Sequence, residues 1–341
     1  MKAIVYTRYG SPEVLQFGDV AQPVPAAHEA LVRVKAASVN KGDWHLLHGE
    51  PFLVRPGAGL RRPKHTILGA DVAGVVVAVG SDVTRLRPGD EVFGDLSADG
   101  RGGFAEYVAA PAAALALKPA NVTFAHAAAV PTAAVTALQG LRSHGQVQPG
   151  ERVLINGASG GVGTFAVQIA RALGAEVTAV ASTRKLEMAR KLGADQVIDY
   201  TRDDFTQSGA RYDVIFDTVG NRTVAEYRQA LAPTGRFVTT NFLPALVVLG
   251  PWLAMRGGQR MTNMLAKPDR QDLEFIAALM AAGDVVPVID RCYALDEVAD
   301  ALRYVGAGHA SGKVIITMAG ADDGNMQDDR VRYPGEIAIA V

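Results

Sequence analysis

The chain has 341 residues, a formal net charge of −1 at neutral pH and a single cysteine, Cys292. That length supports two domains, each able to bury its own core. The charge balance offers no basic field for nucleic acid or an anionic membrane, and one cysteine excludes an internal disulfide framework.

The N-terminal Met1-Lys2-Ala3-Ile4-Val5-Tyr6 reads as a strand, with no charged segment leading into an apolar one, so a cytoplasmic protein is expected. Up to about residue 120, short strands are broken by glycine and proline. Residues 31–36 alternate with period two, 72–79 form an apolar run around Gly74, and the turn Arg87-Pro88-Gly89-Asp90 feeds a strand at 91–94. Residues 1–120 are therefore expected to form an all-β domain.

From about residue 121, strands alternate with helices. The strand Arg152-Val153-Leu154-Ile155 runs into Asn156-Gly157-Ala158-Ser159-Gly160-Gly161-Val162-Gly163 and then a helix closed by Gly174. Glycines let such a turn approach a pyrophosphate, whose charge then sits on the helix N-terminus. The spacing Ala158-x-Gly160-x-x-Gly163 is the dinucleotide fingerprint with alanine in the first place. Further units follow: strand 176–181, helix 184–192, strands 197–200 and 212–217, helix 223–231 and strand 235–240. Such alternation predicts a doubly wound parallel sheet over residues 121–265. Residues 266–341 read as helix 272–282, strand 286–289, helix 296–305 and strand 313–317, a segment returning to the first domain. The tail 319–341 is acidic and then apolar: an added strand, a docking segment or a frayed end. The apolar stretch from Phe242 to Met255 holds two prolines and is too short to span a bilayer.

This arrangement resembles the medium-chain dehydrogenase/reductase superfamily, in its zinc-free quinone oxidoreductase branch. The resemblance rests on Val79-Gly80-Ser81-Asp82-Val83-Thr84-Arg85-Leu86-Arg87-Pro88-Gly89-Asp90-Glu91-Val92-Phe93-Gly94, on Gly102-Gly103-Phe104-Ala105-Glu106-Tyr107, on the glycine turn, and on Gly308-His309-Ala310-Ser311-Gly312-Lys313. It covers residues 1–318. It implies a GroES-like β-rich catalytic domain, a Rossmann domain, an active site between them and a homodimer. Zinc alcohol dehydrogenases of the superfamily carry an early cysteine, a Gly-His-Glu triplet and a cysteine lobe. Here Asn40 and Gly69-Ala70-Asp71 stand at the first two, and residues 95–101 form a short polar loop in place of the third. None of the seven histidines has matching ligand spacing, so no metal site is expected.

A NAD-binding unit usually ends its second strand with a carboxylate that accepts from the ribose hydroxyls. Here that tip is Ala181-Ser182-Thr183-Arg184-Lys185. Hydroxyls and cations suit the 2′-phosphate of NADPH, and by resemblance Ser182, Lys185 and Tyr200 match its contacts. The alternative for Arg184 and Lys185 is a solvated first helical turn. Ser159, Gly160, Gly161 and Val162 are expected on the pyrophosphate, Val219 on the adenine side, and Thr136, Asn241 and Phe242 near the nicotinamide. Thr136 could equally bond its own helix, and Asn241 could be a strand-end turn residue.

By the same resemblance, Ser38-Val39-Asn40-Lys41-Gly42-Asp43-Trp44 faces the nicotinamide. Asn40 could donate to a substrate oxygen and Asp43 orient the nicotinamide ribose, with Lys41 or His45 as proton donors. The plainer reading makes Asp43 a cap for a helix starting at Trp44. The stretch 242–253 could wall an apolar acceptor pocket, form a subunit contact or pack in the core. The sequence thus predicts an NADPH-dependent reductase of quinones or α,β-unsaturated carbonyls. The alternatives are an NADP-linked alcohol dehydrogenase and a non-catalytic NADPH-binding protein.

Overall fold

The strand Glu29–Val39 organises the first half of the molecule. Val32, Val34 and Ala37 turn into a core shared with Leu47, Val72, Phe104, Leu115 and Ile316. Along its length it pairs antiparallel with Asp71–Val79, with Tyr107–Pro111 and with Lys313–Thr317. These strands, with Glu91–Asp95, Leu115–Leu117 and Ile289–Ala294, make a seven-stranded sheet. The computed structural model describes residues 1–52, 55–98, 100, 102–247, 249–250 and 258–318. The tail 319–341, and Val248 and residues 251–255 of the apolar stretch, lie outside the described residues.

The chain divides into two units, the first comprising Met1–Thr132, Pro268–Ala281 and the residues from Pro287 onward. The change from strands to alternating elements near residue 121 is therefore not where the division falls. The helix Phe124–Ala128, capped by the Thr123 hydroxyl, packs on Glu29–Val39 and Asp71–Val79 and stays with the first unit.

The second unit comprises Ala133–Lys267 and Ala282–Val286. Its six strands are all parallel, in the order Gln196–Asp199, Glu176–Ala181, Arg152–Asn156, Tyr212–Asp217, Leu231–Thr239 and Arg260–Asn263. The strand that comes first in sequence lies near the centre, so the order reverses beside it. Such a switch point leaves a crevice at the carboxyl ends of the strands. Leu154, Ile215, Tyr227, Phe237 and Met261 fill a core on this sheet. Among the described residues no helix is long and apolar enough to cross a membrane.

Two elements differ from the sequence expectation. The strand expected at 286–289 is instead Ile289–Ala294, paired with Lys313–Thr317. Pro287 has no N–H to give a ladder, and Val286 is satisfied otherwise: its N–H donates to Gln168 Oε1 at 2.8 Å and its carbonyl accepts from Gln168 Nε2 at 3.0 Å. The helix expected from Arg184 begins at Leu186, behind a single 3₁₀ turn, Thr183–Lys185.

Candidate functional site

In the second unit the glycine turn sits at the switch point. Gly157 has φ +86°, a left-handed conformation that glycine adopts without strain. A Cβ on Gly163 would lie 2.0 Å from the Gly157 carbonyl oxygen, so that glycine lets the helix Gly161–Ala172 close on the strand. A Cβ on Gly160 would meet nothing nearer than 3.5 Å, which leaves the mouth of the turn open. Ser159, Gly160, Gly161 and Val162 are all half-buried there. Ser182 and Lys185 lie half-buried beyond the end of the neighbouring strand, and Tyr200 is exposed beyond the next. Val219, 45% exposed, follows Tyr212–Asp217 and packs over Gly157. Asn241 and the exposed Phe242 follow Leu231–Thr239. Thr136 is buried in the helix Pro131–Leu138. The fold thus brings the expected cofactor residues from Ser159 to Phe242 to the carboxyl ends of the parallel strands.

A buried carboxylate that the sequence reading passed over underpins this edge. Asp217 is fully buried and accepts from Asn156 Nδ2 at 2.8 Å, Thr239 Oγ1 at 2.8 Å, and the N–H groups of Val219 and Gly220. Burial first, and then the Asp217 charge, pushes the Tyr227 phenol well above its ordinary value. The signal was present in sequence, since Asp217 ends the apolar run Val214-Ile215-Phe216.

A second carboxylate, Asp199, pairs in register with Ala181 beside the Ser182 tip. It accepts from Thr183 Oγ1 at 2.5 Å, from Thr201 Oγ1 at 2.7 Å and from the Thr201 N–H. The Thr183 hydroxyl bond holds it below the usual carboxylate range. Its oxygens are committed to tying the two strand tips together. The residues fit a dinucleotide: the turn is open at Gly160, and the Asn241 amide nitrogen is buried with no hydrogen-bond partner.

In the first unit, Asn40 caps the helix Lys41–His48, which corrects a start at Trp44. Asp43 is the N3 residue: its carboxylate accepts from the N–H of the N-cap residue Asn40 at 2.9 Å and from the Gly69 N–H at 3.3 Å, while the Asn40 side chain makes no bond to the helix. It is fully buried, and its carboxylate ties the helix start to the Gly69 turn. Lys41 donates to the Gly306 carbonyl and lies over the Trp44 ring. Burial holds His45 below its ordinary value, so it is neutral at pH 7, with Nδ1 donating to the Glu50 carbonyl.

The Asn40 side chain belongs to a different cluster. Its Nδ2 donates to Asp71 Oδ2 at 2.9 Å, and its Oδ1 accepts from Lys313 Nζ at 2.5 Å. Asp71 also accepts from Ser38 Oγ at 2.7 Å and from the Thr132 hydroxyl and N–H. An amide nitrogen carries two hydrogens, and Asp71 takes one; the second has no acceptor among the described residues. A catalytic zinc needs three thiolate, imidazole or carboxylate ligands. Asn40 and Asp71 stand where the zinc enzymes carry the early cysteine and the triplet, with Ala70 in place of its histidine; they bond to an ammonium, and the set does not fit that metal. Among the described residues no group of three or more His, Cys, Asp or Glu could hold a metal ion.

A parallel sheet with a glycine turn at its switch point in one unit, and a mainly antiparallel sheet in the other, define a dinucleotide-binding dehydrogenase class of protein. Residues 26–120 match the alcohol dehydrogenase GroES-like domain and residues 192–316 the zinc-binding dehydrogenase domain. The 2-methylene-furan-3-one reductase of Solanum lycopersicum is 37% identical, over 93% of this chain and 79% of that one. The chloroplastic NADPH-dependent alkenal/one oxidoreductase of Arabidopsis thaliana is 34% identical over the same shares. The quinone oxidoreductase structure from Coxiella burnetii superposes with a TM-score of 0.84 at 31% identity, covering 93% of this chain and 99% of that one. The chain belongs to the medium-chain dehydrogenase/reductase superfamily, in its quinone oxidoreductase branch.

Proposed function

We propose that this chain is an oxidoreductase that reduces quinones or α,β-unsaturated carbonyls with a nicotinamide cofactor, and that the cofactor is NADPH. The observation that carries the reading is the Asn40–Asp71–Lys313 cluster, which leaves one amide hydrogen for an acceptor oxygen where a metal dehydrogenase has its ion. The names of the tomato, Arabidopsis and Coxiella relatives support the acceptor class.

When bound, the nicotinamide supplies the hydride. The chain's own residues do the rest. The turn 159–162 and the N-terminus of Gly161–Ala172 would hold the pyrophosphate, and Asn241 Nδ2 would donate to the nicotinamide end. Asn40 stabilises the negative charge that grows on the acceptor oxygen. Solvent supplies the proton, as His45 is neutral and Lys41 is engaged elsewhere. A single amide donor polarises a carbonyl weakly, so an acceptor that is already electron-poor suits this site best.

An acceptor panel tests this. Quinones and enones are expected to oxidise NADPH faster than saturated ketones of similar size, and chelators are expected to leave turnover intact. A saturated ketone reduced faster than its enone would sink the acceptor assignment. About one zinc per chain by elemental analysis, with turnover lost on chelation, would sink the metal-free one.

Selectivity for NADPH rests on Ser182 and Lys185, with Asp199 committed to Thr183 and Thr201. Losing one charged phosphate contact costs roughly 1.5–3 kcal/mol, about a tenfold to hundredfold loss. Lys185→Ala is therefore expected to weaken NADPH binding by that factor and to leave NADH binding nearly unchanged. Equal losses for both cofactors, measured by fluorescence titration, would refute the assignment.

A cytoplasmic location and a homodimer belong to the same proposal. The strand Arg260–Asn263 has a neighbour on one side only among the described residues, which leaves an edge for a second copy. Sedimentation showing a monomer at assay concentrations would refute the dimer. The Arabidopsis relative is named as chloroplastic, so a fluorescent fusion decides the compartment.

A further inference from the structure

Lys313 opens the strand Lys313–Thr317 with only 3% of its surface exposed. An ammonium so deeply buried must be compensated. Its Nζ lies 2.5 Å from Asn40 Oδ1 and 3.5 Å from Asp71 Oδ2. The Asn40 amide is thus held between a group that can only donate and a carboxylate that accepts its Nδ2. An asparagine side chain is nearly symmetric in shape, and its two orientations differ in where the oxygen and the NH2 stand. Here a flipped amide would set its NH2 against the ammonium and its oxygen against the carboxylate. Ser38 and Thr132 fix Asp71 in turn, through its other hydrogen bonds.

We infer that Lys313 is a positioning residue for the reduction: its ammonium grips the Asn40 oxygen, so that the second amide hydrogen stays presented to the acceptor oxygen. The inference rests on the reductase reading above. Lys313 itself touches no reacting atom.

The test is a double-mutant cycle in the full-length chain, with NADPH and an enone. Lys313→Met is expected to lower kcat by at least about tenfold, while NADPH affinity by fluorescence titration stays within about twofold. Because Lys313 acts through Asn40, Asn40→Ala combined with Lys313→Met should be no slower than Asn40→Ala alone, within about threefold. A merely structural lysine would make the two losses multiply, and that result would overturn the inference, as would a wild-type kcat in Lys313→Met. Lys313→Met leaves the Asp71 charge without its partner, so the cycle is repeated with the charge-neutral pair Lys313→Met/Asp71→Asn. If the single variant fails to fold, that pair decides by the same rule. A wild type that does not oxidise NADPH with any enone or quinone takes down the reductase reading and this inference with it. Wild-type activity with multiplying losses takes down this inference alone.

Discussion

Asn40→Ala is expected to lower kcat by about a hundred- to a thousandfold and to leave NADPH affinity nearly intact. A single preorganised donor at a developing oxyanion is worth roughly 3–4 kcal/mol. Asn40 has the means to supply that donor: one amide hydrogen is bonded to Asp71, and its oxygen is fixed by Lys313. Its contribution grows as charge moves onto the acceptor oxygen, so its loss appears in kcat more than in ground-state binding. The cofactor residues along the parallel sheet, by contrast, are untouched. Steady-state kinetics with an enone and cofactor titration check both halves. An unchanged kcat removes the basis for the mechanism, and a parallel loss of NADPH affinity means that Asn40 serves binding instead. Thermal unfolding should accompany the assay, because truncation also deprives Asp71 and Lys313 of a partner.

Asp217→Ala is expected to destabilise the chain by more than about 3 kcal/mol, enough to threaten folding. The substitution takes the acceptor from the Thr239 hydroxyl and from the N–H groups of Val219 and Gly220, and leaves the Asn156 amide with its bonds to Asn221 and Tyr227. A buried donor without an acceptor costs about 1–3 kcal/mol, less wherever water enters the space. Asp217→Asn keeps an oxygen but places an NH2 against one of the same donors, so a smaller loss is expected. Urea midpoints at unchanged slope measure the difference. An alanine variant within about 1 kcal/mol of wild type would show that the network carries little of the stability.

The parts of the molecule that the sequence made legible are those whose signal is local. The turn from Gly157 to Gly163 is read from spacing alone, because each glycine answers a constraint a few residues away. Asp43 also showed locally, as a possible cap, but its carboxylate reaches back to the Asn40 N–H, and that moved the helix start back to Lys41. The pairing of Lys313 with Asn40 spans 273 positions, and only sheet register brings them together. A lone lysine leading an apolar strand and a lone aspartate leading another were the available hints. Asp199 was missed for the same reason: the second strand ends without a carboxylate, but the next strand lends one across the ladder. The strand at Ile289–Ala294 has no buried residue and carries Asp290 and Arg291, so periodicity pointed to the apolar residues ahead of it.

The discontinuous make-up of the first unit sets an order of events during synthesis. Its central strand, Glu29–Val39, leaves the ribosome early, but its neighbour Lys313–Thr317 emerges only after the whole parallel sheet has been made. Until then an edge of Glu29–Val39 stands unpaired, and Asp71 waits without its ammonium partner. The second unit keeps its six strands within one uninterrupted stretch and can fold on the way out. A chain halted before residue 313 would therefore carry the nucleotide-binding sheet but lack the lysine that sets the Asn40 amide, so competence to bind a dinucleotide is acquired before competence to use it.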